Sequence, residues 1–359
     1  MSEERLFVKG NEAVAMGAID AGCLYYFGYP ITPQSDIPEY LSYHLPRIGG
    51  EFVQAESEVA AINMLMGAAA TGVRAMTSSS SPGISLMQEG LSYIAGSEIP
   101  IVIVNMSRSG PGLGGIAPSQ GDYFQAVKGG GHGDYHLLVL APNSVQELYD
   151  LTILAFDLAE KYRNPVMILG DAMIGQMKEP LKKAPPKRRE PSPKEWALTG
   201  AKGRPQRILK SLYLKDGELT RHNWKLHEKY ERMKREEVRY EALLTDDADL
   251  VVVAYGSAAR ICRTSVMMAR ESGLKVGLFR PITLFPFPEP QLKAMAEKKS
   301  FLVVELNTGQ MLEDVKICAL GKPVDFYGQP PGSLPTPEEI FEKIQQTYPK
   351  SRKRDTHHE

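Results

Sequence analysis

Apolar and polar positions fall into short blocks along most of the chain, and the blocks read alternately as helix and strand. A helical block at residues 11–21 is followed by a short apolar run at 24–27, a loop at 28–36 containing Pro30 and Pro33, and a helix at 36–44. An extended piece at 51–54 leads to an alanine- and methionine-rich block at 55–72. Its small residues suit a closely packed helix with Glu56 and Glu58 near the start, where carboxylates also favour the helix dipole. A strand at 73–77, a polar loop at 78–83 and a helix at 84–95 come next. Residues 99–106 are apolar without alternation, as in a strand covered on both faces, and the exit loop at 107–120 is rich in glycine. A strand at 137–141, a helix at 145–161 and a strand at 165–169 complete this region. Such alternation predicts an α/β fold with one doubly wound parallel sheet, which brings the loops at 28–36, 77–83, 107–122 and 129–136 to one edge.

Between 180 and 207 the composition shifts to proline, lysine and arginine, as in a linker. Residues 221–244 are dense in charge, with Leu226, Tyr230, Met233 and Val238 at helical spacing, and predict a solvated helix packing one narrow stripe. A second α/β unit opens near 249. It has strands at 250–254, 275–279 and 300–305, helices at 258–272 and 289–298, a loop at 280–288 and a last helix after Thr308. The organisation expected is a first domain at 1–180, a linker with a charged helix at 181–247, a smaller domain at 248–347 and a disordered tail at 348–359.

Composition removes several classes of function. Lysine and arginine number 42 against 43 acidic residues, a net charge of -1, so no basic field points to nucleic acid or a membrane surface. The longest apolar runs fall well short of the roughly 20 residues of a bilayer span, and the N-terminus lacks a signal-peptide pattern. A cytoplasmic protein is expected. Cys23, Cys262 and Cys318 are far apart and form no C-x-x-C, so no metal site and no iron–sulfur cluster is assigned to this chain.

The phosphate loop, the G-x-S-x-G elbow and H-E-x-x-H are all missing, and residues 110–115 do not fit the dinucleotide fingerprint. What remains is a stiff proline loop, in which each X-Pro step holds the preceding residue extended, together with Glu56 and Glu58, the serines at 78–81, and Arg108 at the exit of the long apolar strand. His132 and Asp134, in a glycine-rich loop, are candidates for a site rim or an interface.

These pieces occur in a telling order. Tyr29-Pro30-Ile31-Thr32-Pro33 is followed by Glu56-Ser57-Glu58-Val59-Ala60-Ala61, residues 77–83, Arg108-Ser109-Gly110-Pro111 and Gln120-Gly121-Asp122. The series resembles the α subunit of 2-oxoacid:ferredoxin oxidoreductases, over residues 7 to about 345. The resemblance implies a thiamine-diphosphate-binding fold, with a pyrimidine-type domain and a smaller transketolase C-terminal-like α/β domain. It implies thiamine diphosphate shared with a β subunit that carries the pyrophosphate-binding domain, and Mg2+ and Fe–S clusters held in partner subunits. Further γ and ferredoxin-like δ subunits, ferredoxin as electron acceptor, and CoA and a 2-oxoacid as substrates are implied as well.

By the same likeness Glu58 is the catalytic glutamate that hydrogen-bonds N1′ of the aminopyrimidine and promotes deprotonation of the thiazolium C2. The small residues after it place the glutamate at 58; Glu56 is its rival. Pro30, Ser79 and Ser80 belong at the cofactor. Thr32, Arg108 and Ile31 belong at the substrate, Thr32 through its hydroxyl and Arg108 as a forked cation for the carboxylate. Where the 2-oxoglutarate type reads Gln-Arg-Gly-Gly-Pro-Ser-Thr-Gly, this chain has Ser107-Arg108-Ser109-Gly110-Pro111-Gly112-Leu113-Gly114, closer to the branched-chain (2-oxoisovalerate) type. The alternatives are 2-oxoglutarate as substrate, a catalytically silent scaffold subunit, and half of a non-oxidative thiamine-dependent decarboxylase.

Overall fold

The computed structural model describes residues 5–183 and 194–355. The chain begins with β1 (Arg5–Lys9), α1 (Gly10–Asp20), β2 (Tyr25–Gly28), α2 (Asp36–His44), β3 (Glu51–Gln54), α3 (Glu58–Ala70), β4 (Ala75–Ser79) and α4 (Ser81–Gly96). It continues through β5 (Ile101–Ser107), α5 (Tyr123–Val127), β6 (Leu138–Leu140), α6 (Val145–Tyr162), β7 (Pro165–Asp171), α7 (Ala172–Gln176) and β8 (Lys178–Lys182). After α8 (Glu218–Glu236) and β9 (Tyr240–Leu243) come β10 (Leu250–Val253), α9 (Gly256–Glu271), β11 (Val276–Pro281), β12 (Thr283–Phe285), α10 (Glu289–Ala296), β13 (Ser300–Glu305), α11 (Met311–Cys318), β14 (Val324–Gly328) and α12 (Pro337–Asp355).

The first sheet has seven strands in the order β12-β6-β7-β5-β4-β2-β3, parallel except for β12. Central β5 is buried along its whole length, which is why its sequence is apolar without alternation. Right-handed crossovers in this order put α1, α2 and α6 on one face and α3 and α4 on the other. The second sheet has the order β14-β13-β10-β11-β9, parallel except for β9. Its central strand shows the period of two: Leu250 and Val252 pack with α9 and α12, whereas Val251 and Val253 join the core shared with the first unit.

The structure corrects several expected elements. The expected helix at 221–244 ends at Glu236, and the chain turns into β9 beside β11. Buried Glu237 makes that break, accepting hydrogen bonds from Lys161 Nζ at 2.6 Å and the Tyr162 hydroxyl at 2.7 Å. Tyr240 then stacks on Phe279. The expected loop at 280–288 contains β12, which crosses over to pair antiparallel with β6 of the first sheet. β1 and β8 form an antiparallel pair outside both sheets, so the segment at 180–182 is strand rather than linker. Residues 184–193 lie outside the described residues. One helix was expected after Thr308, but α11, β14 and α12 are present, and the expected tail is helical as far as Asp355. Residues 356–359 lie outside the described residues. None of the described helices is long and apolar enough to cross a membrane.

The two units grip each other through charge as well as through β12. Arg280, 3% exposed in its side chain, donates Nη1 and Nη2 to the two oxygens of Glu147 at 2.9 and 2.7 Å, and Nε to Glu241 at 2.9 Å. Removing a buried cation strands the acids around it, so Arg280→Met is expected to lower stability by about 3 kcal/mol, read from the midpoint of urea unfolding. A loss below about 0.5 kcal/mol, the size of an ordinary surface change, would contradict this account of the grip.

Candidate active site

From β2 the chain crosses to β3 on one side, returns through α3 to β4 on the other, and continues away through α4 to β5. Strand order therefore reverses around β2, the switch point where doubly wound sheets hold ligands beyond their carboxyl ends. β2 and β4 pair only at Tyr25 with Ala75 and Tyr26 with Met76, so their C-terminal ends part. Three loops meet there: residues 29–35 after β2, the turn into α3, and the serines leading into α4.

Ser57 caps α3, its hydroxyl accepting from the Ala60 amide at 3.2 Å, and this makes Glu58 the first helical residue. Glu58 is only 5% exposed, and its carboxylate has no hydrogen-bond or ion-pair partner among the described residues. It packs on Gly83 of the neighbouring α4. A Cβ there would lie 2.1 Å from Ser79 Oγ and 2.5 Å from Glu58 Oε1, so only glycine leaves room for the pair. Ser79 Oγ and Thr77 Oγ1 are buried without partners as well. Buried polar atoms in proteins are nearly always satisfied. An unpaired carboxylate beside an unsatisfied hydroxyl, with a second unsatisfied hydroxyl two residues back on β4, fits a polar heteroaromatic group such as the aminopyrimidine of thiamine diphosphate. Glu56, in contrast, lies outside the helix and is exposed.

Arg108 follows β5. Its Nη1 donates to the Thr32 carbonyl at 3.0 Å, which ties the proline loop to the exit of the central strand. Nε is buried without a partner, and Nη2 has none among the described residues. The Nε–Nη2 edge, the side of a guanidinium that takes a carboxylate through two parallel bonds, is thus unused by the protein. The loop beyond Arg108 closes on itself, with Ser109 N donating to Ala117 O at 3.0 Å and Arg108 bridging to Pro118. It exposes Leu113 and Ile116.

The proline loop is pinned from below. Asn11 and Gln176 each donate to the Pro33 carbonyl and to Asp36, all at 2.8 Å, and Lys9 pairs with Asp36 at 2.6 Å. Burial would raise the Asp36 carboxyl, but the hydrogen bonds from Asn11, Lys9 and Gln176 outweigh it and hold it below its ordinary value. Buried Gln34 accepts from the Ser78 hydroxyl at 2.6 Å, joining this loop to the serine loop. Pro30 and Thr32 are exposed and Ile31 half-buried at the mouth. The Thr32 hydroxyl has no partner among the described residues; its carbonyl is the group engaged.

The structure thus brings Thr32, Glu58, Ser79 and Arg108 to one edge. Ser80 is there too, but its hydroxyl is engaged by the Met106 carbonyl at 2.8 Å. His132 and Asp134 are elsewhere: His132 packs edge-on against Tyr93, twelve positions beyond Ser81 and so about 18 Å along α4. Sequence reading missed Asn11, Gln34, Asn105 and Gln176. A signal existed for Asn105, a lone amide in the apolar run Ile101–Ser107, since a polar group in such a strand must have work to do. No group of three histidine, cysteine, aspartate or glutamate side chains is placed to hold a metal ion among the described residues.

Comparison with known proteins defines the class first. The fold is shared with a split-gene transketolase, which superposes with a TM-score of 0.58 at 11% identity over 95% of this chain and 98% of its own. Residues 16–242 match the family model for the thiamine-diphosphate-binding region of pyruvate flavodoxin/ferredoxin oxidoreductases, and residues 248–340 match pyruvate:ferredoxin oxidoreductase core domain II. The chain belongs to this 2-oxoacid oxidoreductase family. It is 52% identical over 341 residues to the ketoisovalerate oxidoreductase subunit VorB of Methanothermobacter thermautotrophicus, covering 94% of this chain and 97% of the relative. The 2-oxoglutarate synthase subunit KorA of the same organism is 40% identical, with 95% and 98% covered. The 2-oxoglutarate:ferredoxin oxidoreductase from Magnetococcus marinus, solved with 2-oxoglutarate, coenzyme A and succinyl-CoA bound, superposes with a TM-score of 0.86 at 28% identity. The match covers 96% of this chain and 65% of that one.

Gly83→Ala tests whether the pocket serves the cofactor. The added methyl must displace Glu58 or Ser79, so thiamine diphosphate binding to the assembled enzyme is expected to weaken about tenfold or more, read by calorimetry. Unchanged binding by a folded variant would show that the cradle serves something else.

Proposed function

We propose that this chain is the α subunit of a 2-oxoisovalerate:ferredoxin oxidoreductase, which converts a branched-chain 2-oxoacid and CoA to acyl-CoA and passes the electrons to ferredoxin. One observation carries the reading: an unpaired, buried glutamate and an arginine with a free bidentate edge stand at the same switch point of a thiamine-diphosphate fold. When bound, thiamine diphosphate supplies the nucleophilic carbon and the electron sink for loss of CO2. Glu58 holds and exchanges a proton with the aminopyrimidine, in a largely buried place. Arg108 fixes the substrate carboxylate, and its bond to the Thr32 carbonyl keeps the guanidinium plane from turning. Ser79 lies beside Glu58 at the cofactor, Pro30 and Ile31 shape the mouth, and the Thr32 hydroxyl is free for the substrate.

Two observations favour the branched-chain substrate over 2-oxoglutarate. The loop from Ser109 to Gln120 holds no second cation for a distal carboxylate and carries exposed Leu113 and Ile116. The more similar of the two relatives is the ketoisovalerate subunit. The unpartnered Ser79 hydroxyl beside an unpaired Glu58 weighs against a silent scaffold. The chain holds one half of the thiamine site; a β subunit with a pyrophosphate-binding domain and Mg2+ provides the other, in the cytoplasm, and γ and ferredoxin-like δ subunits with Fe–S clusters carry electrons onward. The pyrimidine-type domain is built from β1 to β8 with β12, the transketolase C-terminal-like domain from β9 to α12 without β12, and α8 lies in the connector between them.

Glu58→Gln in the assembled enzyme is expected to lower 2-oxoacid oxidation about a hundredfold or more at an unchanged melting temperature. Activity within twofold of the parent would remove Glu58 from the chemistry. Arg108→Lys is expected to raise the KM for 2-oxoisovalerate about tenfold, because a point charge replaces a fork. An unaltered KM would return Arg108 to a purely structural role.

A further inference from the structure

We propose that Asp122 is the positioning residue for Arg108, acting through the hydroxyl of Ser81. The proposal rests on the reading of Arg108 as the carboxylate-binding cation. Asp122 occupies the N-cap position of α5, yet its side chain does not cap that helix. Instead Oδ2 accepts from Ser81 Oγ at 2.6 Å and from Asn105 Nδ2 at 2.8 Å, across two other strand exits. An N-cap aspartate ordinarily bonds its own helix amides, so this carboxylate has been turned to another use.

That use follows from the single proton of Ser81. Three acceptors lie within its reach: Asp122 Oδ2 at 2.6 Å, the Arg108 carbonyl at 3.2 Å and Ser107 Oγ at 3.5 Å. The carboxylate, charged and nearest, takes the proton. A lone pair of Ser81 then faces the Arg108 amide, which donates to it at 3.0 Å. Without the carboxylate the hydroxyl can turn to the Arg108 carbonyl or to Ser107, and the amide keeps an acceptor whose orientation is no longer fixed. With it, Arg108 is held at its amide by Ser81 and at Nη1 by Thr32, so that the Nε–Nη2 edge has one direction.

Asp122 is itself held firmly, because the second unit grips the residues before it. Gln120 N donates to Leu306 O at 3.0 Å, Leu306 N to Gln120 Oε1 at 2.9 Å, Gln120 Nε2 to Tyr255 O at 2.8 Å and Asn307 Nδ2 to Gln120 O at 2.9 Å. Gln310 Nε2 adds a bond to Gly121 O at 2.8 Å. These contacts give a role to Gln120-Gly121-Asp122, a motif that the chemistry at Glu58 does not use.

The test compares variants of the complete enzyme, with KM measured separately for 2-oxoisovalerate and for CoA. Asp122→Ala and Ser81→Ala are each expected to raise the 2-oxoisovalerate KM about fivefold to tenfold and leave the CoA KM within about twofold. Asp122→Asn, whose amide oxygen still accepts, is expected to restore the parent value. Adding Asp122→Ala to Arg108→Lys is expected to raise KM no further, because both act on one contact. An unchanged KM in folded Asp122→Ala and Ser81→Ala, or a full multiplication of effects in the double variant, overturns the proposal, as does equal loss for both substrates. If Arg108→Lys alone leaves KM unchanged, the carboxylate reading falls and takes this one with it. If it raises KM while Asp122→Ala does not, only the role of Asp122 falls.

Discussion

A largely buried carboxylate with no protein partner is an expensive arrangement, on the order of a few kcal/mol for a polar group and more for a charge, and the first unit is built around one. Glu58 is delivered to the switch point by the cap at Ser57 and left unpaired beside Gly83 and Ser79. Neighbouring polar groups are satisfied elsewhere: Ser78 bonds Gln34, Ser80 bonds the Met106 carbonyl, and Ser81 bonds Asp122. The selectivity of that pattern marks the pocket. Among the serines at 78–81 only Ser79 has a hydroxyl without a partner among the described residues.

The second constraint is rigidity at the mouth. A proline loop and an arginine exit loop, more than seventy positions apart in sequence, are tied by one hydrogen bond from Arg108 to the Thr32 carbonyl. Each loop is braced by a different part of the molecule. Lys9, Asn11 and Gln176 hold the first, whereas the second unit holds the far end of the other through Gln120 and Gln310. The C-terminal unit, which contributes none of Thr32, Glu58, Ser79 and Arg108, is in this way joined to the exit loop that carries Arg108.

Much of this was legible in the sequence because it rests on local rules. The unbroken apolar run of β5 announced a strand buried on both faces, and the proline pair announced a stiff loop. The order of motifs then pointed to the family, and the small residues that follow singled out Glu58 over Glu56. What stayed hidden depends on long-range partners. Nothing near residues 283–285 says that they leave their own unit to pair with β6, and the end of α8 at Glu236 is set by Lys161 and Tyr162 far upstream. Thr32 shows the same limit: its side chain looked like the ligand group, but the group that holds Arg108 is its carbonyl, which every residue carries.

The central claim is that this chain holds half of a thiamine site for branched-chain 2-oxoacids. The most direct measurement is viologen reduction with CoA and a panel of 2-oxoacids, by the complex purified from its host and by this chain alone. The account predicts that the complex turns over with its highest kcat/KM for 2-oxoisovalerate and that the isolated chain is inactive. Turnover by the chain alone at the rate of the complex, or a complex that prefers 2-oxoglutarate, would contradict it.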